Sequence, residues 1–435
     1  MTRRLLPIVG IAAIAMVVVA ESLPKSAAAR VPVACDADNG GITLPAGFCA
    51  TIFADSLGST RHLTVQPNGD VYVGVNPRRG GAESGTGIGP GGGVLYLRDT
   101  DGDGHADIKD KVGDGGGTDV AVANGYLYAT SRNNVVRYAM TGGKVNKTAI
   151  DTLIRDMPIG GHVAYNFVVD GEMLYLNIGS PSNSCQQKDR ANESPGVDPC
   201  VELETRAGIW QFDALKPNQT AADGRRFVTG IRNAVGLAMN ATDHTLYTMQ
   251  HGRDQLLQNW GQLFTAEQSA EWPAEEMFRL TKGDDFGWPY CFFNPELRLK
   301  VLAPEYGGDG KTPGRCAQKK SNVAYFPGHW APNALLFYTG SQFPAAYKNG
   351  AFVAFHGSWN RAPLPQGGFN VVFVPFAGGK ASGPYQVFAD GFSPEGKPSP
   401  SGLHRPTGLA QGPDGALYVT DDVGGRIWKI SYKGK

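Results

Sequence analysis

Charged residues make up only 18% of this 435-residue sequence, in which 40 Lys and Arg residues balance 40 Asp and Glu residues. A protein that binds nucleic acid through its phosphates needs a basic surface, which a chain of zero net charge does not offer. We therefore expect no nucleic-acid partner. The apolar run from Leu5 to Ala20 is shorter than the roughly 20 residues of a membrane-spanning helix. No Cys-x-x-Cys-His sequence is present, which excludes a haem attached through that motif.

The N-terminus has the order of a secretory signal peptide. A basic segment precedes the apolar run, and the small residues Ser26–Ala29 follow it. This order predicts a signal peptide over residues 1–29, cleaved after Ala29 or after Ala20. The domain over residues 30–435 would then be periplasmic or secreted, with no stable membrane span. A retained membrane anchor is the alternative.

Cysteine is also scarce, with six residues in the whole chain. An oxidising compartment favours disulfides over metal thiolates, although six cysteines allow many connectivities. Pairing of sequence neighbours closes the shortest loops and therefore costs the least chain entropy. This argument predicts three disulfides, Cys35–Cys49, Cys185–Cys200 and Cys291–Cys316.

Glycine and proline are abundant instead, with 59 and 29 residues scattered at turns, which favours many short strands and little helix. Six times, a short apolar strand is followed by a second one with aliphatic and aromatic residues. The pairs are 71–75 with 94–97, 126–130 with 135–139, 173–178 with 209–212, 246–249 with 277–280, 352–355 with 371–376, and 417–420 with 427–430. This repeat predicts an all-β fold, a six-bladed β-propeller of four-stranded antiparallel blades. We expect the functional site where loops from different blades converge on the central channel.

One loop has the ligand spacing of an EF-hand calcium site. Acidic residues stand at positions 1, 3, 5, 9 and 12, with glycine at position 6 and a backbone carbonyl at position 7. The predicted ligands are Asp99, Asp101, Asp103, His105, Asp107 and Asp110. Asp110 replaces the usual glutamate, and the loop follows a strand rather than a helix. We expect a structural calcium site, with a solvated acidic turn as the alternative.

Four other stretches are more specific than ordinary propeller turns: Gly230–Leu237, His251–Leu256, Gly283–Cys291 and His356–Arg361. At these residues the chain resembles the glucose/sorbosone dehydrogenase family, soluble quinoproteins that carry pyrroloquinoline quinone (PQQ) on a six-bladed propeller. The branch of sorbosone and fungal pyranose dehydrogenases is the most similar. The resemblance implies an exported oxidoreductase that oxidises an aldose, pyranose or sorbosone-like sugar at C1 with PQQ and calcium. Electrons would pass to an external acceptor such as a quinone, a dye or a cytochrome.

The resemblance also implies roles for individual residues. His162 would be the general base that removes the proton of the anomeric hydroxyl, a task that suits an imidazole titrating near neutrality. Arg232 and Asn233 would contact the quinone, and the guanidinium would stabilise charge that develops during reduction. The backbone carbonyls of Gly252 and Arg253 would bind a calcium ion that also holds the cofactor.

PQQ carries three carboxylates, so its site needs cations on several sides. Four basic residues lie at corresponding ends of blade strands and are expected to bind the cofactor: Arg61, His356, Arg361 and Arg405. Each would otherwise be a surface ion-pair residue. Where soluble glucose dehydrogenases have a lysine, this chain has Asn360 or Arg361. The aromatic face of Trp359 is a candidate wall of the sugar pocket.

Two other functions remain open at the level of sequence. A calcium-dependent lactonase-type hydrolase would need a carboxylate-lined ion in the channel rather than a cluster of arginines. A non-catalytic binding propeller is the other alternative, because a fold alone does not define a function. At the level of single residues, His162 could be a structural histidine beside a turn, and Arg232 could pair with a carboxylate of a neighbouring blade.

Overall fold

The computed structural model describes residues 1–2, 35–76, 92–393 and 404–434. The predicted signal peptide therefore lies outside the described residues, apart from Met1 and Thr2. All described strands belong to the unit formed by residues 33–435. In the part of the chain that the structure describes, no helix is both long enough and apolar enough to cross a membrane.

Six antiparallel sheets form the blades of a six-bladed β-propeller, which confirms the predicted fold. In chain order, β1 (Phe48–Ala54) precedes the strands of blade 1, which are β2 (Ser59–Val65), β3 (Val71–Asn76), β4 (Gly93–Arg98) and β5 (Ile108–Asp114). Blade 2 contains β6 (Val120–Ala123), β7 (Tyr126–Ser131), β8 (Asn134–Thr141) and β9 (Lys144–Arg155). Blade 3 contains β10 (Phe167–Asp170), β11 (Met173–Ile178), β12 (Gly208–Asp213) and β14 (Arg225–Thr229), with the short β13 (Gln219–Thr220) pairing in parallel with β9.

The second half of the chain repeats the same unit. Blade 4 contains β15 (Ala234–Asn240), β16 (Thr245–Gln250), β17 (Glu275–Arg279) and β20 (Ala324–Phe326), and a separate hairpin of β18 (Cys291–Asn294) and β19 (Leu299–Leu302) is inserted before its last strand. Blade 5 contains β21 (Pro332–Phe337), β22 (Gly350–Phe355), β23 (Asn370–Ala377), β24 (Lys380–Ala381) and β25 (Gln386–Ala389). Blade 6 contains β26 (Pro406–Gln411), β27 (Leu417–Asp421) and β28 (Ile427–Tyr432).

The N-terminal strand β1 completes blade 6 from the other end of the chain. It pairs antiparallel with β28 in a register that places Phe48 opposite Tyr432 and Ala50 opposite Ile430. Because the first and last strands share one sheet, the ring of blades is closed by backbone hydrogen bonds. Each of the six strand pairs recognised in the sequence is a pair of neighbouring strands within one blade.

Helix is scarce among the described residues, as the composition predicts. The two α-helices are α1 (Leu256–Trp260) and α2 (Ala266–Glu271), and the short 3-10 segments are Asn39–Gly41, Val201–Glu204, Ala221–Asp223, Pro304–Tyr306, Gly314–Gln318 and Ala345–Tyr347. The helices pack against the inserted hairpin through a cluster that includes Leu256, Phe264, Trp272 and Phe292. The three predicted disulfides are all present. One of them, Cys291–Cys316, joins the hairpin to the 3-10 segment Gly314–Gln318.

The apolar core lies between neighbouring blades. Six buried clusters correspond to the six blade interfaces, and each draws side chains from two adjacent sheets. Between blades 5 and 6, for example, Phe352 and Phe373 share a cluster with Leu417 and Trp428. Burial of this apolar area, at roughly 25 cal/mol per Å², is the main force that holds the blades together. Because the apolar core lies between the blades, polar side chains can occupy the channel end without disturbing that core.

All six blades bring loops to the same end of the channel. The innermost strands, which contact one another around the ring, are β2, β6, β10, β15, β21 and β26. Each runs antiparallel to the second strand of its blade, so the start of the first strand lies beside the end of the second. Residues just before an innermost strand and just after a second strand therefore meet at this end. His162, Arg232, Gly252, His356 and Arg405 all fall in such segments.

Candidate active site

His162 lies in a loop that is pressed against the end of β11. The backbone N–H of His162 donates to the carbonyl of Ser180 at 2.9 Å, and Nδ1 lies 2.8 Å from the same oxygen. Gly161 permits this approach, because its φ is +66° and a Cβ there would meet the Ser180 carbonyl at 2.6 Å. An Nδ1–H that donates to a carbonyl leaves Nε2 with the lone pair of a neutral imidazole.

The electrostatic surroundings keep His162 neutral. Burial and then the positive charge of Arg232 lower the pKa of His162 well below its usual value. A neutral histidine with a fixed ring and an available Nε2 lone pair has the form that a general base needs.

Arg206 fixes the His162 loop from behind. Its buried guanidinium donates from Nε to the Gly179 carbonyl at 2.6 Å and from Nη2 to the Gly160 carbonyl at 2.8 Å. Nη2 also lies 3.3 Å from the carbonyl of His162 itself. The loop and the end of β11 are thus tied to one side chain, which the sequence alone did not single out.

Arg232 precedes β15, and its guanidinium donates four hydrogen bonds to neighbouring groups. Its Nε and Nη2 donate to the backbone and side-chain oxygens of Asn183 at 3.1 and 3.0 Å, and Nη1 donates to the Gly252 carbonyl at 2.8 Å. A second Nη2 bond reaches Oδ2 of Asp254 at 2.9 Å. The residue is only 3% exposed. The tight turn before it needs Gly230, where φ is +75° and a Cβ would meet the backbone nitrogen of residue 287 at 2.5 Å.

Asp254 is the centre of this half of the site, although the sequence analysis gave it no role. Its Oδ2 accepts from Arg190 at 3.0 Å as well as from Arg232, and its Oδ1 accepts from Asn360 at 3.0 Å. Burial alone would raise the pKa of this carboxyl, but Arg232 and then His329 hold it well below its ordinary value. Asp254 is therefore a carboxylate that neutralises two arginines from different loops.

The backbone carbonyls predicted to bind calcium lie beside this group. The Gly252 carbonyl accepts one bond from Arg232 and keeps a second lone pair, and no donor reaches the Arg253 carbonyl from the described residues. The Gly252 N–H donates to Glu275 Oε2 at 2.8 Å, which fixes the direction of the loop. Hard carbonyl oxygens of this kind fit a calcium ion.

The Arg253 side chain anchors the loop. It forms a buried ion pair with Glu305, whose Oε1 also accepts from Trp260 Nε1 at 3.0 Å. Burial raises the pKa of Glu275, on the other side of the loop, to about 7. The loop is thus tied to the inserted segment by the Arg253 side chain.

A second group of cations lies around Asp422, just after β27. Arg61 Nη1 donates to Asp422 Oδ2 at 2.8 Å, and His356 Nε2 lies 2.9 Å from Oδ1. Arg405 donates to the carbonyls of His356 and Gly357 at 2.9 and 2.6 Å. Burial would raise the pKa of Asp422, but His356 and Arg61 lower it strongly instead. The structure thus brings together three of the four basic residues expected to bind the cofactor, Arg61, His356 and Arg405.

Arg61 has a property that fits an anionic ligand. Its buried Nε has no hydrogen-bond partner among the described residues. A buried donor without an acceptor costs free energy, and a ligand carboxylate would remove that cost. The cation set therefore fits a polycarboxylate such as PQQ.

His251 is influenced by both groups. Burial and then the charges of Arg232 and His356 lower its pKa to about 4.

The floor of this end is filled by a histidine that joins several blades. His62 Nε2 lies 2.7 Å from the carbonyl of Asn333 in blade 5, and Nδ1 lies 3.2 Å from Asp119 Oδ1, just before blade 2. The amide nitrogen of Asn166, just before blade 3, lies 3.2 Å from Nδ1. These contacts cross the middle of the ring, so they limit how deep a ligand can enter.

Arg361 is one predicted cofactor residue that does not join either group. Its guanidinium donates to the carbonyls of Ala270, Gly328 and Pro365 and pairs with Glu271, which uses four of its five N–H groups. Arg361 thus fixes the loop that carries the site residues, and its expected contact with the cofactor stays a prediction. Its neighbour Asn360 reaches Asp254 instead.

Asn233 and Trp359 take different positions relative to the channel. Asn233 is buried, and its Oδ1 accepts from Asn177 Nδ2 at 3.1 Å, so this amide oxygen is used within the protein. Trp359 is 44% exposed in the loop after β22. Its indole is thus available at the rim of the site.

The predicted calcium loop forms only part of its expected ligand group. The carboxylates that lie within 4.8 Å of one another are Asp99, Asp101 and Asp107. Asp103 accepts from the backbone N–H of His105 at 2.8 Å, and Asp110, on β5, pairs with Lys147 at 2.6 Å. The set of grouped carboxylates is thus smaller than the spacing predicts, because the chain enters β5 before Asp110.

A family model described as TrAA12-like matches residues 42–433. A pyrroloquinoline quinone-dependent pyranose dehydrogenase of Coprinopsis cinerea is 26% identical over 296 residues, which cover 59% of this chain and 37% of that protein. The chain spans less than half the length of the curated relatives it matches.

Two solved structures share the fold. The calcium structure of a Trichoderma reesei carbohydrate-active enzyme of family AA12 has a TM-score of 0.71 at 18% identity and covers 93% of this chain and 99% of that one. The holo form of the pyranose dehydrogenase PQQ domain from Coprinopsis cinerea has a TM-score of 0.70 at 19% identity, with 90% and 97% of the two chains covered. At these identities the likeness concerns the fold.

Proposed function

Because the chain belongs to the TrAA12-like family, we propose that it is an exported quinoprotein that oxidises an aldose, pyranose or sorbosone-like sugar at C1. The observation that carries this proposal is the pairing of His162 with a cation-lined channel end. A neutral histidine whose Nε2 lone pair is available lies near Arg232, and a buried Arg61 donor lacks a partner on the opposite side. A lactonase-type hydrolase would need carboxylates around an ion, whereas Asp254 and Asp422 are neutralised by arginine or histidine.

His162 is the proposed general base. Its Nδ1–H stays bonded to the Ser180 carbonyl, so Nε2 accepts the proton of the C1 hydroxyl. When bound, PQQ would supply the acceptor for the hydride, with its two electrons, that leaves C1. A positioned base of this kind contributes a factor of roughly 10²–10⁴ to the rate. Burial and then the nearby charge of Arg232 keep the imidazole neutral at physiological pH, so the base is in its proton-accepting form before substrate binds.

The two cation groups are the proposed cofactor ligands. Arg61, His356 and Arg405 would pair with carboxylates of PQQ, and Arg232 would donate to a quinone oxygen. The carbonyls of Gly252 and Arg253 would bind calcium next to the cofactor. Trp359 at the rim offers an aromatic face to a pyranose ring. Electrons would leave to an external acceptor.

Export and a second calcium ion are further parts of the proposal. Three disulfides fit an oxidising compartment, and the N-terminal sequence has the order of a signal peptide. The grouped carboxylates of Asp99, Asp101 and Asp107 would hold a calcium ion with a structural role, since they lie on an exposed loop of blade 1. This ion would be separate from the one at the channel end.

The proposal is tested by titrating chelator-stripped mature protein with PQQ, with and without calcium, and following binding by calorimetry. We expect calcium-dependent binding of about one equivalent, followed by sugar-dependent reduction of an acceptor dye in a screen of aldoses and pyranoses. Lack of PQQ binding under both conditions would reject the dehydrogenase function. Binding without turnover of any sugar would favour a binding propeller instead.

A further inference from the structure

Arg232 has very little freedom at the channel end. A guanidinium has five N–H groups, and four of those of Arg232 are already used: two on Asn183, one on the Gly252 carbonyl and one on Asp254. One Nη1 N–H therefore remains for a ligand. Its direction is set by the other four bonds, because the guanidinium is planar and rigid.

Three of those four bonds end on neutral oxygens, and only Asp254 supplies a negative charge. Arg232 is 3% exposed, so its charge is far from water. A buried cation without a counter-ion is strongly unfavourable. The bond to Asp254 Oδ2, at 2.9 Å, is thus both the compensation for that charge and one of the contacts that orient the group.

Asp254 is itself fixed from several sides. The side chain of Asn183 contacts the main chain of Asp254 twice, accepting from its N–H at 2.9 Å and donating to its carbonyl at 3.0 Å. Its carboxylate accepts from Arg190 and from Asn360 at 3.0 Å each. These contacts come from the loop after β11 and the loop after β22. With the segment before β15, which carries Arg232, three segments of the chain therefore determine where the carboxylate lies.

We propose that Asp254 is a positioning residue that sets the direction of the free Nη1 N–H of Arg232 toward a bound quinone. In this proposal its carboxylate is a ligand of neither the cofactor nor calcium: Oδ2 is engaged by Arg190 and Arg232, and Oδ1 accepts from Asn360. This inference rests on the proposed function. It deepens that function by separating a residue needed for turnover from the residues needed for affinity.

The test compares Asp254→Asn with the wild-type holoenzyme. The loss of a charge-assisted hydrogen bond predicts a fall in turnover of roughly 10- to 100-fold at saturating PQQ and sugar. Affinity for PQQ, measured by calorimetry, is expected to stay within about threefold or to tighten, since a negative charge beside a polycarboxylate is removed. Calcium affinity should be unchanged. A loss of PQQ or calcium affinity greater than about tenfold would overturn the proposal, because Asp254 would then be a ligand.

A double-mutant cycle separates positioning from a general loss of packing. Arg232→Lys keeps the charge but removes the planar fork, so it should lower turnover by a similar factor. If Asp254 acts through Arg232, the double variant loses no more than about threefold beyond the worse single variant. Additive losses would contradict the proposal. Asp254→Glu serves if Asp254→Asn does not fold: it keeps the charge and displaces the carboxylate, and unchanged turnover in that variant would equally contradict it.

A matched control is available in blade 2. Asp151 pairs with the buried Arg137 at 3.1 and 3.2 Å, so Asp151→Asn removes a similar ion pair away from the channel. Turnover and PQQ affinity should both stay at wild-type values. A wild-type protein that fails to bind PQQ would reject the proposed function before any variant is compared, so the two failures are distinguishable.

Discussion

Asp254 and Asp422 each lie among cationic side chains at the channel end, but the arginines beside them differ in the hydrogen bonds they already make. Arg232 uses four of its five N–H groups within the protein, while Arg61 keeps a buried Nε that no described residue accepts. The first group is tied to the loop closed by Cys185–Cys200, through Arg190. The second is formed by residues of blades 1, 5 and 6.

This difference indicates that the two groups have different roles. A guanidinium whose bonds are satisfied is oriented before any ligand arrives, which suits a residue that acts on developing charge. A buried donor without an acceptor is better suited to binding an anion, since the ligand supplies the missing bond. We therefore expect changes around Asp254 to affect turnover and changes around Asp422 to affect cofactor affinity.

The largest effect is expected in the half of the site that contains His162 and Arg232. His162→Gln should lower turnover by roughly 10²–10⁴ because no base remains for the C1 hydroxyl, while PQQ affinity stays within about threefold. Dye reduction by the loaded protein and calorimetric titration measure the two quantities. The exposed His244, which pairs with Asp170, gives the control His244→Gln with wild-type values for both. Undiminished dye reduction by His162→Gln would remove the general-base role.

The next largest effect is expected in the other half, the group of cations around Asp422. Arg61→Gln should weaken PQQ binding by roughly 10- to 100-fold, because a charge-assisted hydrogen bond to a carboxylate is lost. Turnover at saturating PQQ should change by less than about threefold. Arg315→Gln, at an exposed ion pair with Asp198, is the matched control. If turnover fell while affinity did not change, the two groups would not divide their roles as we expect.

Arg405→Ala examines the same half through a residue that also anchors the loop after β22. Its bonds to the His356 and Gly357 carbonyls are lost together with its charge, so PQQ affinity should fall roughly tenfold or more. The pH profile of turnover should not move, because the shift in the His162 pKa arises from burial and Arg232. Normal affinity in a folded variant would exclude Arg405 from the cofactor site.

A smaller effect concerns pH. Because the pKa of His162 lies well below 6.5, its neutral form is the active base through neutrality, and turnover is lost only as pH falls through that lowered pKa. Arg232→Gln removes a positive charge, the second cause of the lowered pKa after burial, and should move the acid limb of the profile to higher pH, whatever the height of the plateau. An acid limb that moves to lower pH would contradict the assigned electrostatics.

The smallest effect is expected outside both groups. Asp101→Asn removes one of the grouped carboxylates in the exposed loop of blade 1. The rise in Tm on adding calcium should shrink by roughly 1–3 °C, with turnover unchanged. A loss of turnover together with the change in Tm would mean that this loop and the channel end are coupled.

The sequence predicts the fold well because its signals are local. Strand pairs such as 71–75 with 94–97 are neighbours in the chain, and the three disulfides join cysteines that are at most 25 residues apart. His162 and Arg232, which the sequence analysis singled out, both lie in segments at the same end of the channel. The structure then shows that Arg232 pairs with a carboxylate, which the sequence analysis considered only as a structural alternative.

The missing parts of the site depend on contacts between distant segments. Asn183 and Asp254 are 71 residues apart, and Arg61 and Asp422 are separated by 361 residues, so no spacing in the chain indicates either contact. Arg361 shows the same dependence on distant contacts. It stands in the stretch His356–Arg361 beside site residues, yet its side chain turns toward Glu271. A position in a loop does not determine the direction of a side chain.

The most direct test of the two-group account is a crystal structure of the protein with PQQ and calcium bound. The account predicts the cofactor at the channel end between Asp254 and Asp422, with a carboxylate on Arg61 Nε, the free Nη1 N–H of Arg232 on a quinone oxygen, and calcium on the carbonyls of Gly252 and Arg253. A cofactor bound elsewhere, or one whose carboxylates are held around Asp254 while Arg61 Nε stays unpaired, would contradict it.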